Sequence, residues 1–267
     1  MRQKVRTIIS FTALLLFPLT INWFSPYLII DGASAGFING SFLTFTILFL
    51  VSPFFGRLFC SWLCPGGSLQ DILAQGRSKP YGGGFRDSFK YILWVPWLFG
   101  IILAFLSYGN IKAIVPFYPS QSIDLSLLSG QLIVYYGVIT VFTLIALFLG
   151  KRAGCHSICW MAPFMILGRK GGNLLALPGF RLCSDSSRCT SCKRCTDNCP
   201  MSLRVHEMVK DGKMENSECI LCARCADNCP RGAIRLVFRR PPLGRFTDTS
   251  LKAEVHLTGS KTSPFVS

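Results

Sequence analysis

Twelve of the thirteen cysteines in this 267-residue chain fall into two spacing patterns, and both suit soft-metal or redox chemistry. In the C-terminal third, Cys189-x-x-Cys192-x-x-Cys195-x-x-x-Cys199-Pro200 returns thirty positions later as Cys219-x-x-Cys222-x-x-Cys225-x-x-x-Cys229-Pro230. The pair Asp197-Asn198 returns too, as Asp227-Asn228. Three thiolates spaced this closely wrap three corners of a tetrahedral ligand set, and the fourth stands where proline turns the chain away. An iron-sulfur cube takes such a set; zinc also accepts four thiolates but does not favour this triple spacing in duplicate. Nearer the N-terminus, Arg57-x-x-Cys60-x-x-x-Cys64 recurs 95 positions later as Arg152-x-x-Cys155-x-x-x-Cys159. On a helix, residues i and i+4 share a face. If the two copies pack together, four thiols converge and can hold a metal or a further cluster. Otherwise each pair cycles between dithiol and disulfide, or simply packs as small apolar groups. His156 beside them reads as a metal ligand, a proton acceptor or a solvated loop residue. Cys183 lies outside both patterns and reads as a buried structural thiol.

The elements that must carry these residues are apolar. The chain is 50% hydrophobic and 15% charged, against about 25% charged in soluble domains. Four stretches, 7–30, 38–59, 89–108 and 132–149, match a hydrocarbon core of about 30 Å and read as four transmembrane helices, with Pro18, Pro53 and Pro96 as kinks. Residues 31–37 carry no Lys or Arg and 109–131 only Lys112, whereas Arg2, Lys4, Arg6, Arg77, Lys79, Arg86, Lys151 and Arg152 flank the opposite ends. The positive-inside rule then puts both termini in the cytoplasm and makes the net charge of +15 mainly a matter of topology. Nucleic-acid binding is not expected, because no basic and aromatic surface module is present. Arg57 and Lys90 fall near span ends, where snorkelling is expected, and the lack of mid-span charges argues against an ion pump. Residues 1–35 also resemble a secretory signal ending at Ala33-Ser34-Ala35, but the apolar run is too long for one and is read as an uncleaved first helix.

The expected fold class is a membrane α-helical protein. Four transmembrane helices with two Cys-x-x-x-Cys hairpin ends occupy 1–160, and an interfacial linker covers 161–182. A small cytosolic α+β two-cluster domain follows at 183–240, and 241–267 is expected to be a disordered polar tail. A short helix at 205–208 and a closing strand at 233–238 belong to the small domain. Gly82-Gly83-Gly84 gives the central hairpin slack, and the 95-residue repeat is parallel, with a pseudo-axis along the membrane normal.

Residues 183–238 resemble a bacterial two-cluster ferredoxin domain. That resemblance implies two 4Fe-4S clusters with crossed ligands: Cys189, Cys192, Cys195 and Cys229 for the first, Cys219, Cys222, Cys225 and Cys199 for the second. The ordered combination of helices, Cys-x-x-x-Cys pairs and duplicated motif resembles the NapH/MauN family of ferredoxin-type membrane proteins over nearly the whole chain. One departure is Trp160 after Cys159, where the first pair is followed by Pro65. The resemblance implies a multi-pass electron-transfer protein of a prokaryotic cytoplasmic (plasma) membrane. It would link the quinone/quinol pool to a redox protein partner, as a carrier or quinol-dehydrogenase subunit rather than a self-contained enzyme. The alternative is a redox-sensing or metal-handling maturation factor that works through Cys60, Cys64, Cys155 and Cys159 as an additional metal site.

Overall fold

The computed structural model describes residues 1–76, 79–109, 112–117 and 125–241, with the side chains of 125–131 left aside. Helix α1 (Arg2–Leu15) is followed by α2 (Phe17–Thr20), a 3-10 turn at Ile21–Phe24 and α3 (Pro26–Ala35). The apolar run 7–30 is therefore not one straight helix, since α1 and the Phe17–Phe24 segment meet at 62°. Pro18 sits in the first turn of α2, where its missing N–H is not needed; inside an unbroken helix it would remove a bond and clash with the preceding turn. Strand β1 (Phe37–Asn39) leads into α4 (Gly40–Phe55), whose start is capped by the Asn39 side chain accepting from the Phe42 N–H.

Helix α4 has 16 residues, about 24 Å at 1.5 Å per residue, and falls short of the full apolar run 38–59. It stops at Gly56, where φ is +56°. Then come α5 (Leu58–Trp62), α6 (Pro65–Gly76), a 3-10 turn at Gly84–Ser88, α7 (Phe89–Tyr108), strand β2 (Ala113–Val115), α8 (Leu125–Leu149), α9 (Ala153–Ser157) and α10 (Met161–Leu174). Among the described residues, Gly84–Tyr108 and Leu132–Leu149 are long and apolar enough to cross a membrane, and the bent pair at the N-terminus would make a third span. Large apolar side chains such as Phe99, Leu106, Ile133 and Phe148 face outward from these helices, the pattern of a bundle surrounded by lipid.

The 95-residue repeat is visible as geometry: α5 and α9 correspond, as do α6 and α10. The two copies exchange helices, with α10 packed along α4 and α6 along α8. Close approach of α10 to α4 depends on glycine. A Cβ on Gly168 would lie 2.0 Å from Ser52 Oγ, and one on Gly172 would lie 2.7 Å from Pro53 Cβ. Strands β1 and β2 pair in parallel and tie the far ends of the two copies together.

After α10, strand β3 (Gly179–Ser184) pairs antiparallel with β4 (Ile234–Arg239). Between them lie the two cysteine loops with α11 (Arg194–Asp197), α12 (Val205–Lys210) and α13 (Arg224–Asp227). Apart from Pro241, the expected polar tail lies outside the described residues, as do Arg77 and Ser78 of the central hairpin.

The snorkelling expectation is overturned. Lys90 is fully buried and Arg57 is 3% exposed; Arg6 and Arg152, counted above as flanking charges, are each 1% exposed. Each meets a carboxylate inside the protein, which removes the cost of desolvating it alone.

Candidate metal centres

The cysteine loops owe their shape to residues held at positive φ. Ser191 and Lys193 in the first copy (φ 56° and 59°) match Leu221 and Ala223 in the second (52° and 57°). Each left-handed turn reverses the chain between successive cysteines, so that three thiols bend towards one centre. The result is two cavities. One is lined by Cys189, Cys192, Cys195 and Cys229, the other by Cys199, Cys219, Cys222 and Cys225. Each cavity draws three cysteines from one motif and the fourth from the other. The walls also fit a sulfur-rich group, since the second cavity is closed by Leu182, Met201, Leu203, Val205, Met208, Met214 and Ile220. The Ala233 N–H donates to Cys229 Sγ at 3.3 Å, as backbone donors do around metal-bound thiolates. Burial pushes the Cys199 thiol up to about 11 and the Cys219 thiol up to about 12. Without a cationic centre these thiols stay protonated; a bound metal reverses that preference.

The membrane-end cysteines come together as well. Cys60, Cys64, Cys155 and Cys159 are all buried and close enough to influence one another electrostatically. Burial pushes Cys64 well above the ordinary thiol range and Cys155 above it despite nearby Arg152; it takes Cys159 up to about 12, with Cys155 and Cys60 adding to the rise. The helix exchange supplies matched neighbours: Gln70 of α6 donates to Cys155 Sγ at 3.2 Å, and Met165 of α10, 95 positions on, places its Sδ 4.0 Å from Cys60 Sγ. Among the described residues no three His, Cys, Asp or Glu side chains converge tightly enough to hold a single metal ion.

Two arginines, each three residues before a cysteine pair, connect this quartet to the second cavity. Arg152 donates to Cys60 O and to Asp71 Oδ1 (2.9 and 2.7 Å) and lies within electrostatic reach of both Cys155 and Cys222. Arg57 lies in the field of Cys60, Cys159, Cys155 and Glu218 and donates to Glu218 Oε2 at 2.9 Å and to Ser217 O at 3.0 Å. Its Nε and Nη2 are buried without a hydrogen-bond partner, an unusual state for a guanidinium. Glu218, adjacent to Cys219, also binds Lys90, so one carboxylate of the small domain closes two buried cations of the bundle. Burial raises the Glu218 carboxyl, but Arg57 and then Lys90 outweigh it and hold it below the usual range.

His156 is neither solvated nor aimed at the thiols. Its Nδ1 lies 2.8 Å from Asp87 Oδ1, its Nε2 lies 3.2 Å from Met201 O, and its ring stacks on Tyr81 at 4.5 Å. Cys183 is buried in β3. Gln70, Asp71 and Glu218 were missed by the sequence reading. The one available signal was the Glu that stands before Cys219 where the first motif has Arg188.

Comparison with known proteins points to iron-sulfur chemistry. A family model described as a 4Fe-4S binding domain matches residues 40–81, and a 4Fe-4S dicluster domain matches 188–234. The chain is 23% identical over 195 residues to the Escherichia coli protein named "Putative electron transport protein YccM", covering 69% of this chain and 52% of that protein. It is 25% identical over 169 residues to Methanocaldococcus jannaschii MJ0750, covering 60% of this chain and 66% of the relative. A second protein of that organism, MJ0749, is 26% identical over 203 residues, with 68% and 69% covered. The chain thus spans about half the length of the first relative and about two thirds of the others. No solved structure matches it significantly. The chain is thus a mostly helical protein with ferredoxin-type 4Fe-4S binding domains and, among the described residues, two candidate membrane spans or three if the bent pair is one.

Proposed function

We propose that this is a membrane-bound iron-sulfur electron-transfer protein of the NapH/MauN kind, linking the quinone/quinol pool to a redox partner through two 4Fe-4S clusters. The observation that carries the reading is the pair of four-thiol cavities with exchanged fourth cysteines. In this reading Cys189, Cys192, Cys195 and Cys229 hold one cluster and Cys219, Cys222, Cys225 and Cys199 the other. The electron-transport name of the Escherichia coli relative points the same way. When bound, such clusters supply one-electron carriage. The chain's own part is placement. Glu218, Arg57 and Lys90 clamp the small domain to the bundle, Arg152 lies in the field of both Cys155 and Cys222, and the apolar wall of the second cavity excludes water. Four spans with both termini cytoplasmic complete the proposal; protease treatment of sealed vesicles of known orientation tests it, and cleavage of a C-terminal tag only from the periplasmic face refutes the topology.

Anaerobically purified protein should contain about eight non-haem irons in its two ferredoxin cubes and give a paramagnetic signal on reduction. Stoichiometric zinc without such a signal refutes the cluster assignment. Reduction of the clusters by a quinol analogue in liposomes tests the quinone link.

A second reading, a redox-sensing or metal-handling maturation factor centred on Cys60, Cys64, Cys155 and Cys159, is favoured by the burial of all four thiols beside the unpartnered Arg57 donors. Thiolates bound to a metal or a third cluster would accept from those donors. Replacing all four cysteines with serine separates the two: lost metal binding with quinol-linked electron flow intact favours the second reading.

A further inference from the structure

The two cysteine motifs are copies, so each position in one serves as a control for the same position in the other. The second cavity is turned towards the bundle. Glu218 meets Arg57 and Lys90, Gln3 of α1 donates to Cys222 O at 2.9 Å, and Arg152 lies near Cys222. The first cavity is turned away: among the described residues, no hydrogen bond or ion pair joins the side chains lining it to helices α1 to α10. Its rim is exposed and basic, with Arg188, Lys193, Arg194 and Arg231 around the exposed Cys192, and no Asp or Glu lines it. Arg188 has Asp185 at 3.1 Å, while no ion pair among the described residues involves Lys193, Arg194 or Arg231.

Thirty positions away, the same four places hold Glu218, Ala223, Arg224 and Met201. Glu218, Ala223 and Met201 are buried, and Arg224 is half-buried. At three of the four places the motif therefore does not itself require a cation, and only the open copy gathers all four into an exposed basic rim. Four cations around an exposed thiol form a positive field at the one point where a cluster in this domain comes nearest to solvent.

We infer that this rim is the docking surface for an acidic redox protein that carries a one-electron centre. Attraction between the basic rim and an acidic face steers the partner so that its centre approaches Cys192. The exchange moves one electron: one centre is oxidised by one as the other is reduced by one, and no bond is made or broken. The inference rests on the electron-transfer reading above and adds the class of partner and its place of contact.

The test uses the full chain in nanodiscs of neutral phosphatidylcholine, with iron content and the paramagnetic signal measured first. Oxidised flavodoxin is the acidic probe and cytochrome c the basic one. Flavodoxin should bind, and its affinity should fall at least tenfold between about 20 and 200 mM salt, while cytochrome c binds more weakly at low salt. The variant Lys193→Gln/Arg194→Gln/Arg231→Gln, with its iron signal intact, should lose at least tenfold in flavodoxin affinity at low salt. Two results on protein that holds its clusters overturn the inference: flavodoxin binding insensitive to salt, or stronger binding of cytochrome c. A third is flavodoxin affinity unchanged in the variant Lys193→Gln/Arg194→Gln/Arg231→Gln, which would place the contact away from the rim. Wild-type protein without iron or signal instead overturns the electron-transfer reading beneath it.

Discussion

Removing the charge of Asp71 should destabilise the bundle more than removing any exposed acid. Asp71 on α6 accepts from Arg6 Nη1 of α1 at 3.0 Å and from Arg152 Nε at 2.7 Å, and its side chain is 10% exposed. Asp71→Asn keeps the shape but leaves two guanidiniums, each 1% exposed, without a counter-charge. Breaking a buried pair in this way costs about 3–5 kcal/mol. The pH dependence has a definite sign. Burial raises the Asp71 carboxyl, but Arg152 and then Arg6 outweigh it and hold it at about 2, below its ordinary 3.8. The stabilisation is therefore present in full above pH 3.8 and is lost as pH falls towards 2, and the difference between the two values amounts to about 2 kcal/mol. Denaturant unfolding of detergent-solubilised wild type and Asp71→Asn, at pH 7 and near pH 2.5, measures both. The variant should be weaker at pH 7, and its deficit should shrink in acid, where wild type loses the same charge. Adding Arg6→Met and Arg152→Met to Asp71→Asn should restore much of the loss. A deficit below about 0.5 kcal/mol at pH 7, the size of an ordinary surface change, would refute the reasoning.

Glu218→Gln leaves Arg57 and Lys90 uncompensated and should loosen the small domain from the bundle, seen as faster proteolysis between α10 and β3 while the helices stay intact. Unchanged cleavage would mean that packing alone holds the domain. Cys199→Ser and Cys189→Ser should damage different clusters by paramagnetic resonance, since the two thiols line different cavities; loss of the same centre in both would overturn the crossed assignment. Gly67→Ala puts a Cβ 2.6 Å from Cys60 O and should cost about 1–3 kcal/mol and disturb the first cysteine pair, read as lower thermal stability. Gly100→Ala, where a Cβ meets nothing within 4 Å, serves as its control.

The sequence by itself determined what depends on neighbours along the chain. Three cysteines at i, i+3 and i+6 lie within one loop, so their spacing identifies soft-ligand chemistry whatever surrounds them, and 4Fe-4S family models fall on both cysteine systems. Length and apolarity placed the 89–108 helix at its observed bounds, and the closing strand expected at 233–238 lies within one residue of the observed Ile234–Arg239. Tertiary structure decided what depends on partners far along the chain. The sequence placed a kink at Pro18, but not that the run 7–30 breaks there by 62° into separate short helices, because proline both kinks and starts helices, and which occurs depends on what packs beside it. Charge counting took Arg6 and Arg152 for topology signals and Arg57 and Lys90 for snorkelling span ends. Their carboxylates, Asp71 and Glu218, lie between 65 and 161 positions away, and no local pattern distinguishes a paired buried arginine from a solvated one. The exchange of α6 and α10 between the copies was equally hidden. For α10 it depends on how closely the glycines at 168 and 172 fit against Ser52 and Pro53 of α4, and a linear repeat carries no record of which copy packs on which.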